Sequence, residues 1–342
     1  MLGCALVIAL IHGIARHYQS FVSSRCLATA KLCHDRYSID LQFVHCYRAE
    51  NPLTSIETQT SSVSEAVLGA REVRLCESLP TQLSSYPPGI FRRAGLKRIV
   101  ICKELSLLGD VCGGLTRSQE GIIFFNSLLY DGKRSKNDPE RCFHHELFHL
   151  LDHAMGFSDI TKYDELAGFE RDPEWEELND AGFQYDPRWS VHYSRLEATA
   201  IKPGIWTYYS LSSPAEDKAV LFSYMVIAHD KLKELSKKDQ ILERKISLLR
   251  RRLLRFDAFF DENFWVARAR AGREQRDKTR ATAFHLTNGA CAWSCTWCRR
   301  VSTDRPLESC LISPTIVSSC STRSVPSSSW PRAARSSRSD AT

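Results

Sequence analysis

One pentapeptide constrains this chain more than any other feature: His145-Glu146-Leu147-Phe148-His149. Histidines four residues apart share one side of an α-helix, so both imidazoles can reach a single ion if the segment is helical. The flanking residues favour that helix. Asp138 can cap it, Pro139 suits its first helical position, Glu140 suits the positive end of its dipole, and Gly156 suits its stop. Phe143, Leu147, Leu150 and Leu151 offer an apolar face for packing. Glu146 stands beside the first His, where it can take a proton from a water held on the ion. Zinc lowers the pKa of such a water to about 7. One Zn2+ ion is therefore the expected cofactor.

Residues 98–102 (RIVIC) and 121–126 (GIIFFN) read as short buried strands, the second with Gly113-Gly114 before it and Asp131-Gly132 after it. Strands preceding a metal-binding helix predict an α+β fold: a zincin-type domain with a small mixed sheet and the HExxH helix as its active site. The 121–126 strand is read equally as a core strand and as an edge on which an extended peptide can pair. A further helix opens at Pro214-Ala215-Glu216-Asp217. From about Asp230 to Phe256 one amphipathic helix is expected, because Leu242, Ile246, Leu249, Leu253 and Phe256 recur at spacings of 4, 3, 4 and 3. Arg250, Arg251, Arg252 and Arg255 then form its solvated face.

The turn Tyr86-Pro87-Pro88-Gly89 is read as a domain start. The expected organisation is a poorly defined segment over 1–85, a metallopeptidase domain over 86–266 and a low-complexity, disordered tail over 267–342. The apolar run at 2–11 has the length of a signal-peptide core but neither a basic start nor a clear cleavage site. The compartment, secreted or cytoplasmic, stays open. Residues 51–64 are Ser/Thr-rich and read as a loop. No apolar run reaches the length of a helical membrane span. The chain carries 46 Lys+Arg against 40 Asp+Glu, a net +6. Seven Arg and three acids beyond residue 298 supply +4 of it, so the charge is a property of the tail and indicates no specific nucleic-acid partner. Thirteen Cys are too sparse for a disulfide scaffold. Cys291, Cys295 and Cys298 have the spacing of a radical S-adenosylmethionine cluster motif, but only 44 residues follow, too few for the barrel that motif needs. Cys142 is read as a small buried residue.

A catalytic zinc site takes three protein ligands and an open position. Asp152, Glu165, Glu197 and Glu216 are candidates for the third ligand. Asp152, seven residues after His145, better suits a hydrogen bond to a ligand imidazole. The stretch Tyr209-Ser210-Leu211-Ser212-Ser213-Pro214-Ala215-Glu216, with Ala219 beyond it, resembles the second motif of the anthrax lethal factor-like zinc metallopeptidases, a group that includes the Pro-Pro endopeptidases and is of gluzincin type. In that family a Tyr stands seven residues before the ligand Glu and a small residue three after it. The resemblance, which spans roughly residues 86–265, implies that Glu216 is the third ligand. It also implies that Tyr209 donates its hydroxyl to the oxyanion. The expected function is zinc-dependent endopeptidase acting on a peptide or protein substrate. The rival is a metal-binding but catalytically silent module.

Overall fold

Stretches rich in β-branched and aromatic residues build a mixed sheet, and its topology shows how the N-terminal region enters the fold. In the computed structural model, residues 24–51, 54–56, 60–61, 68–107, 110–130, 138–157, 163–164, 169–187, 202–271 and 274 are described. All lie within one unit, Met1–Thr282. Strands β1 (Asp40–Asn51), β4 (Arg98–Leu107) and β7 (Ile122–Asn126) run parallel, and β6 (Gly114–Arg117) runs antiparallel to β7 at the sheet edge. The short strands β2 (Thr54–Ile56) and β3 (Thr60–Ser61) pair with β1, and β5 (Asp110–Val111) folds back on β4. The order is β2-β1-β4-β7-β6. Leu41, Phe43, Ile99, Ile101, Ile123 and Phe125 enter the main core. Val44, Val100, Cys102, Ile122 and Phe124 form a smaller second cluster, with Tyr47 stacked on Phe124 at 4.1 Å.

The main core is completed by helices. These are α1 (residues 24–32, widening into a π-turn at Cys33–Tyr37), α2 (Ala70–Leu83), α3 (Pro88–Arg93) and α4 (Asp138–Ala154). After the small ribbon β8 (Tyr163–Asp164) and β9 (Phe169–Glu170) come α5 (Pro173–Glu176), α6 (Pro214–Ile227), α7 (His229–Ser236), α8 (Gln240–Phe256) and α9 (residues 262–271). Phe143, Leu147, Phe148, Leu150 and Leu151 of α4 are all fully buried. Each such side chain contributes about 1.5–3 kcal/mol, against roughly 0.2–1 kcal/mol for an exposed ion pair, so apolar packing sets the orientation of this helix. Gly156 ends it in the left-handed region at φ +79, as its position suggested.

Three expectations are corrected. The turn at Tyr86 is not a domain boundary: β1 lies against β4 in parallel register from Asp40↔Arg98 to Ala49↔Leu107, and Val73, Leu75, Cys76, Leu79 and Leu83 of α2 are buried in the same core. Residues 51–64 contain two of the strands that pair with β1. The single helix expected over 230–256 is two, because the Asp239 side chain accepts the Leu242 N–H at 2.9 Å and starts a new helix there. Cys142 is buried as expected. Among the described residues no helix is long and apolar enough to cross a membrane. The expectations for residues 2–11, Glu165, Glu197, Cys291, Cys295, Cys298 and the tail from 275 onward lie outside the described residues.

Candidate metal centre

Helix α4 carries His145 and His149 one turn apart, and both face the first turn of α6. Glu216 is fixed there by local sequence. Ser213 caps α6 by accepting the Glu216 N–H at 3.2 Å, and Pro214 occupies the first helical position. The result is a triangle of potential ligand atoms. His145 Nε2 lies 2.9 Å from Glu216 Oε2, His149 Nε2 lies 3.6 Å from the same oxygen, and the two Nε2 atoms are 3.2 Å apart. A tetrahedron of ligands about 2.0–2.1 Å from a zinc ion has edges of about 3.3 Å. Two imidazoles and a carboxylate on such a triangle suit that ion in both chemistry and spacing. Among the described residues these three form the one group able to hold a metal. The adjacent His144 turns the other way, with Nδ1 2.8 Å from the Tyr86 hydroxyl in the core.

Glu146 leaves α4 toward the sheet edge. Thr116 of β6 donates its hydroxyl to Glu146 Oε2 at 2.8 Å and approaches the Glu146 carbonyl oxygen at 3.0 Å. Ser118 does the same to the His149 carbonyl at 3.3 Å. The carboxylate lies against Gly114, where a Cβ would fall 2.7 Å from Glu146 Cδ and closer still to Oε1. Only a residue without a side chain leaves this space. Gly114 and Thr116 were missed in the sequence; the Gly113-Gly114 pair read merely as turn punctuation.

Of the two readings left open for 121–126, a substrate-pairing edge and a core strand, the structure supports the core strand. The structure makes that strand internal, paired with β4 on one side and β6 on the other, with all five residues from Ile122 buried. The edge is β6. Asn126 N–H bonds the Gly113 carbonyl at 2.9 Å, so the alternate residues Gly114 and Thr116 turn their backbone groups away from β7. Tyr209, in a short 3-10 turn over Tyr208–Leu211, sets its ring 5.9 Å from the His145 ring, whereas Tyr208 packs beside Ile205 and Leu211. Asp152 is placed differently from expectation. Among the described residues it accepts no imidazole N–H, and it pairs instead with Lys218 at 2.6 Å.

Burial raises the Glu146 carboxyl above the usual range, against the opposing charges of His145 and His149. Burial would lower His149, but the Glu216 carboxylate outweighs it and lifts the imidazole to about 9. Burial would likewise raise Glu216, yet the two imidazoles hold it well below the carboxylate range. Burial and then the charges of Glu216 and Glu146 push the Tyr209 hydroxyl well above 10, so it remains a donor at neutral pH. The free site thus carries a proton on His149. Zinc needs that nitrogen neutral, so its binding is expected to release about one proton at pH 7, and its affinity to fall about tenfold per pH unit below about 9. Calorimetric zinc titrations in buffers of different ionisation heat measure this; affinity independent of pH between 6 and 8 contradicts it.

No protein-family model and no curated protein matches the chain. Among solved structures, one from Bacteroides caccae ATCC 43185, described as a "putative zinc-binding metallo-peptidase", is similar at 14% identity and a TM-score of 0.43, over 75% of this chain and 95% of that one. The side chains therefore carry the functional reading.

Proposed function

We propose that the protein is a zinc-dependent endopeptidase with a lethal factor-like, gluzincin arrangement. The observation that carries this reading is the convergence of His145, His149 and Glu216 beside a buried, strand-anchored Glu146. His145, His149 and Glu216 would hold the ion; when bound, zinc supplies Lewis acidity toward a water and a peptide carbonyl. Glu146 is the general base. Its raised pKa suits a group that first takes the proton of the attacking water and then gives it to the leaving amine. Tyr209, kept protonated, donates its hydroxyl to the oxyanion of the tetrahedral intermediate, a contribution of about 3 kcal/mol where the geometry is good.

An extended peptide is placed by β6. The outward backbone groups of Gly114 and Thr116 can add it as a further strand, which brings its carbonyl beside Glu146. A silent metal-binding module has no use for a glycine-made niche around Glu146, and this favours the enzyme. The test is incubation of the zinc-loaded full chain with a mixed peptide library, read by mass spectrometry. Internal cleavage that stops with a chelator and returns with zinc is expected. Intact peptides from a protein shown to bind one zinc ion would leave the silent module as the better reading.

A further inference from the structure

The two residues after Glu216 are charged and almost wholly buried, and their partners come from other elements. Asp217, 1% exposed, accepts from Trp175 Nε1 and from the Tyr185 hydroxyl, each at 2.9 Å, and pairs with Lys245 Nζ at 2.7 Å. Lys218, also 1% exposed, pairs with Asp152 at 2.6 Å and with Asp172 at 2.8 Å. Arg252 closes on Asp172 through two bonds of 2.7 and 3.0 Å. Three carboxylates, Asp152, Asp172 and Asp217, thus meet three cations, Lys218, Lys245 and Arg252, away from solvent. Arg252 and Lys245 were expected on a solvated helix face or passed over; both are buried.

Apolar contacts such as Phe148 against Phe222, with ring centroids 5.1 Å apart, already join α4 to α6. Such contacts tolerate sliding. A buried ion pair adds a fixed length and direction, because a displacement would leave the Asp152 carboxylate with neither solvent nor its cation. Asp152 lies one turn beyond His149 on α4, and Lys218 lies two residues beyond Glu216 on α6. We propose that the Lys218–Asp152 pair is a strut between the two ligand-bearing helices that sets the distance of Glu216 from His145 and His149. Lys218 and Asp152 are then positioning residues of the metal centre. The Asp172–Arg252 pair backs Lys218, and the Asp217–Lys245 pair ties α6 to α8.

This inference rests on the metal-centre reading, so its test reads metal affinity rather than turnover. Zinc affinity of the full chain is measured by competition with a chromophoric chelator, after circular dichroism has shown each variant folded. Lys218→Met, Asp152→Ala and the double variant are each expected to weaken zinc binding by about 10- to 100-fold, and the double no more than either single. A purely structural role predicts lower melting temperatures with zinc affinity unchanged, and that result overturns the strut. Lys218→Met leaves two buried carboxylates short of a cation and can unfold. Asp152→Asn preserves shape and leaves Lys218 paired with Asp172, so it remains the decisive variant. It is expected to weaken zinc in the same direction by a smaller factor; an affinity within about twofold of the wild type overturns the proposal. A wild-type chain that binds no zinc refutes the metal centre itself, which is a different outcome.

Discussion

Glu146→Gln is expected to abolish peptide hydrolysis while leaving one zinc ion bound. Gln keeps the size of the side chain and can still accept the Thr116 hydroxyl, so the niche at β6 stays filled. What it loses is the ability to take a proton, a general-base contribution of about 10²–10⁴-fold. Zinc content should not change, because Glu146 is not one of the three converging ligands. Gly114→Ala reaches the same group by another route. Its new methyl would occupy the space of the Glu146 carboxylate and displace it, and a shift of about 1 Å can cost about 10²-fold. Both variants should therefore bind zinc normally and turn over slowly. Undiminished hydrolysis by Glu146→Gln would remove the mechanism.

Glu216→Ala is expected to lose tight zinc binding altogether. Two imidazoles on one helix remain, a pair rather than a site. The same substitution removes the carboxylate that raises His149 to about 9, so proton release on adding zinc should vanish with it. Atomic absorption on dialysed protein gives the stoichiometry. Glu165→Ala and Glu197→Ala serve as comparisons, and both should retain one ion. If zinc survives in Glu216→Ala and is lost in either of those, the third ligand has been misassigned.

Helix α4 was legible because its signals are local: a proline in the first turn, two His at a helical spacing and a terminal glycine. The first turn of α6 was legible for the same reason. The reading of Glu216 as the third carboxylate was not a local matter, since it lies 67 positions beyond His149, and it came from resemblance. The register that makes β6 the edge was illegible. Gly114–Arg117 is short and only partly buried, and nothing in four residues says which side of a sheet they close. The N-terminal strand β1 was missed because residues on both of its faces are buried: Leu41 and Phe43 enter one cluster and Val44 and Tyr47 the other, which interrupts the alternation of a half-exposed strand at Phe43-Val44. The ionic cluster was hidden for a third reason. Its members are spread over a hundred residues of chain, from Asp152 through Asp172, Asp217–Lys218 and Lys245 to Arg252, and a buried charge looks like a surface charge in sequence.

The parallel pairing of β1 with β4 decides what can be produced in isolation. A fragment begun at Tyr86 would keep every residue of the metal centre. It would also strip the partner from Arg98–Leu107, whose Ile99, Val100, Ile101 and Cys102 are fully or almost fully buried in the intact chain. An apolar strand with a bare edge is a template for pairing with other copies of itself. Such a fragment would accumulate as aggregate even with its histidines in register, so the smallest soluble unit starts ahead of residue 40.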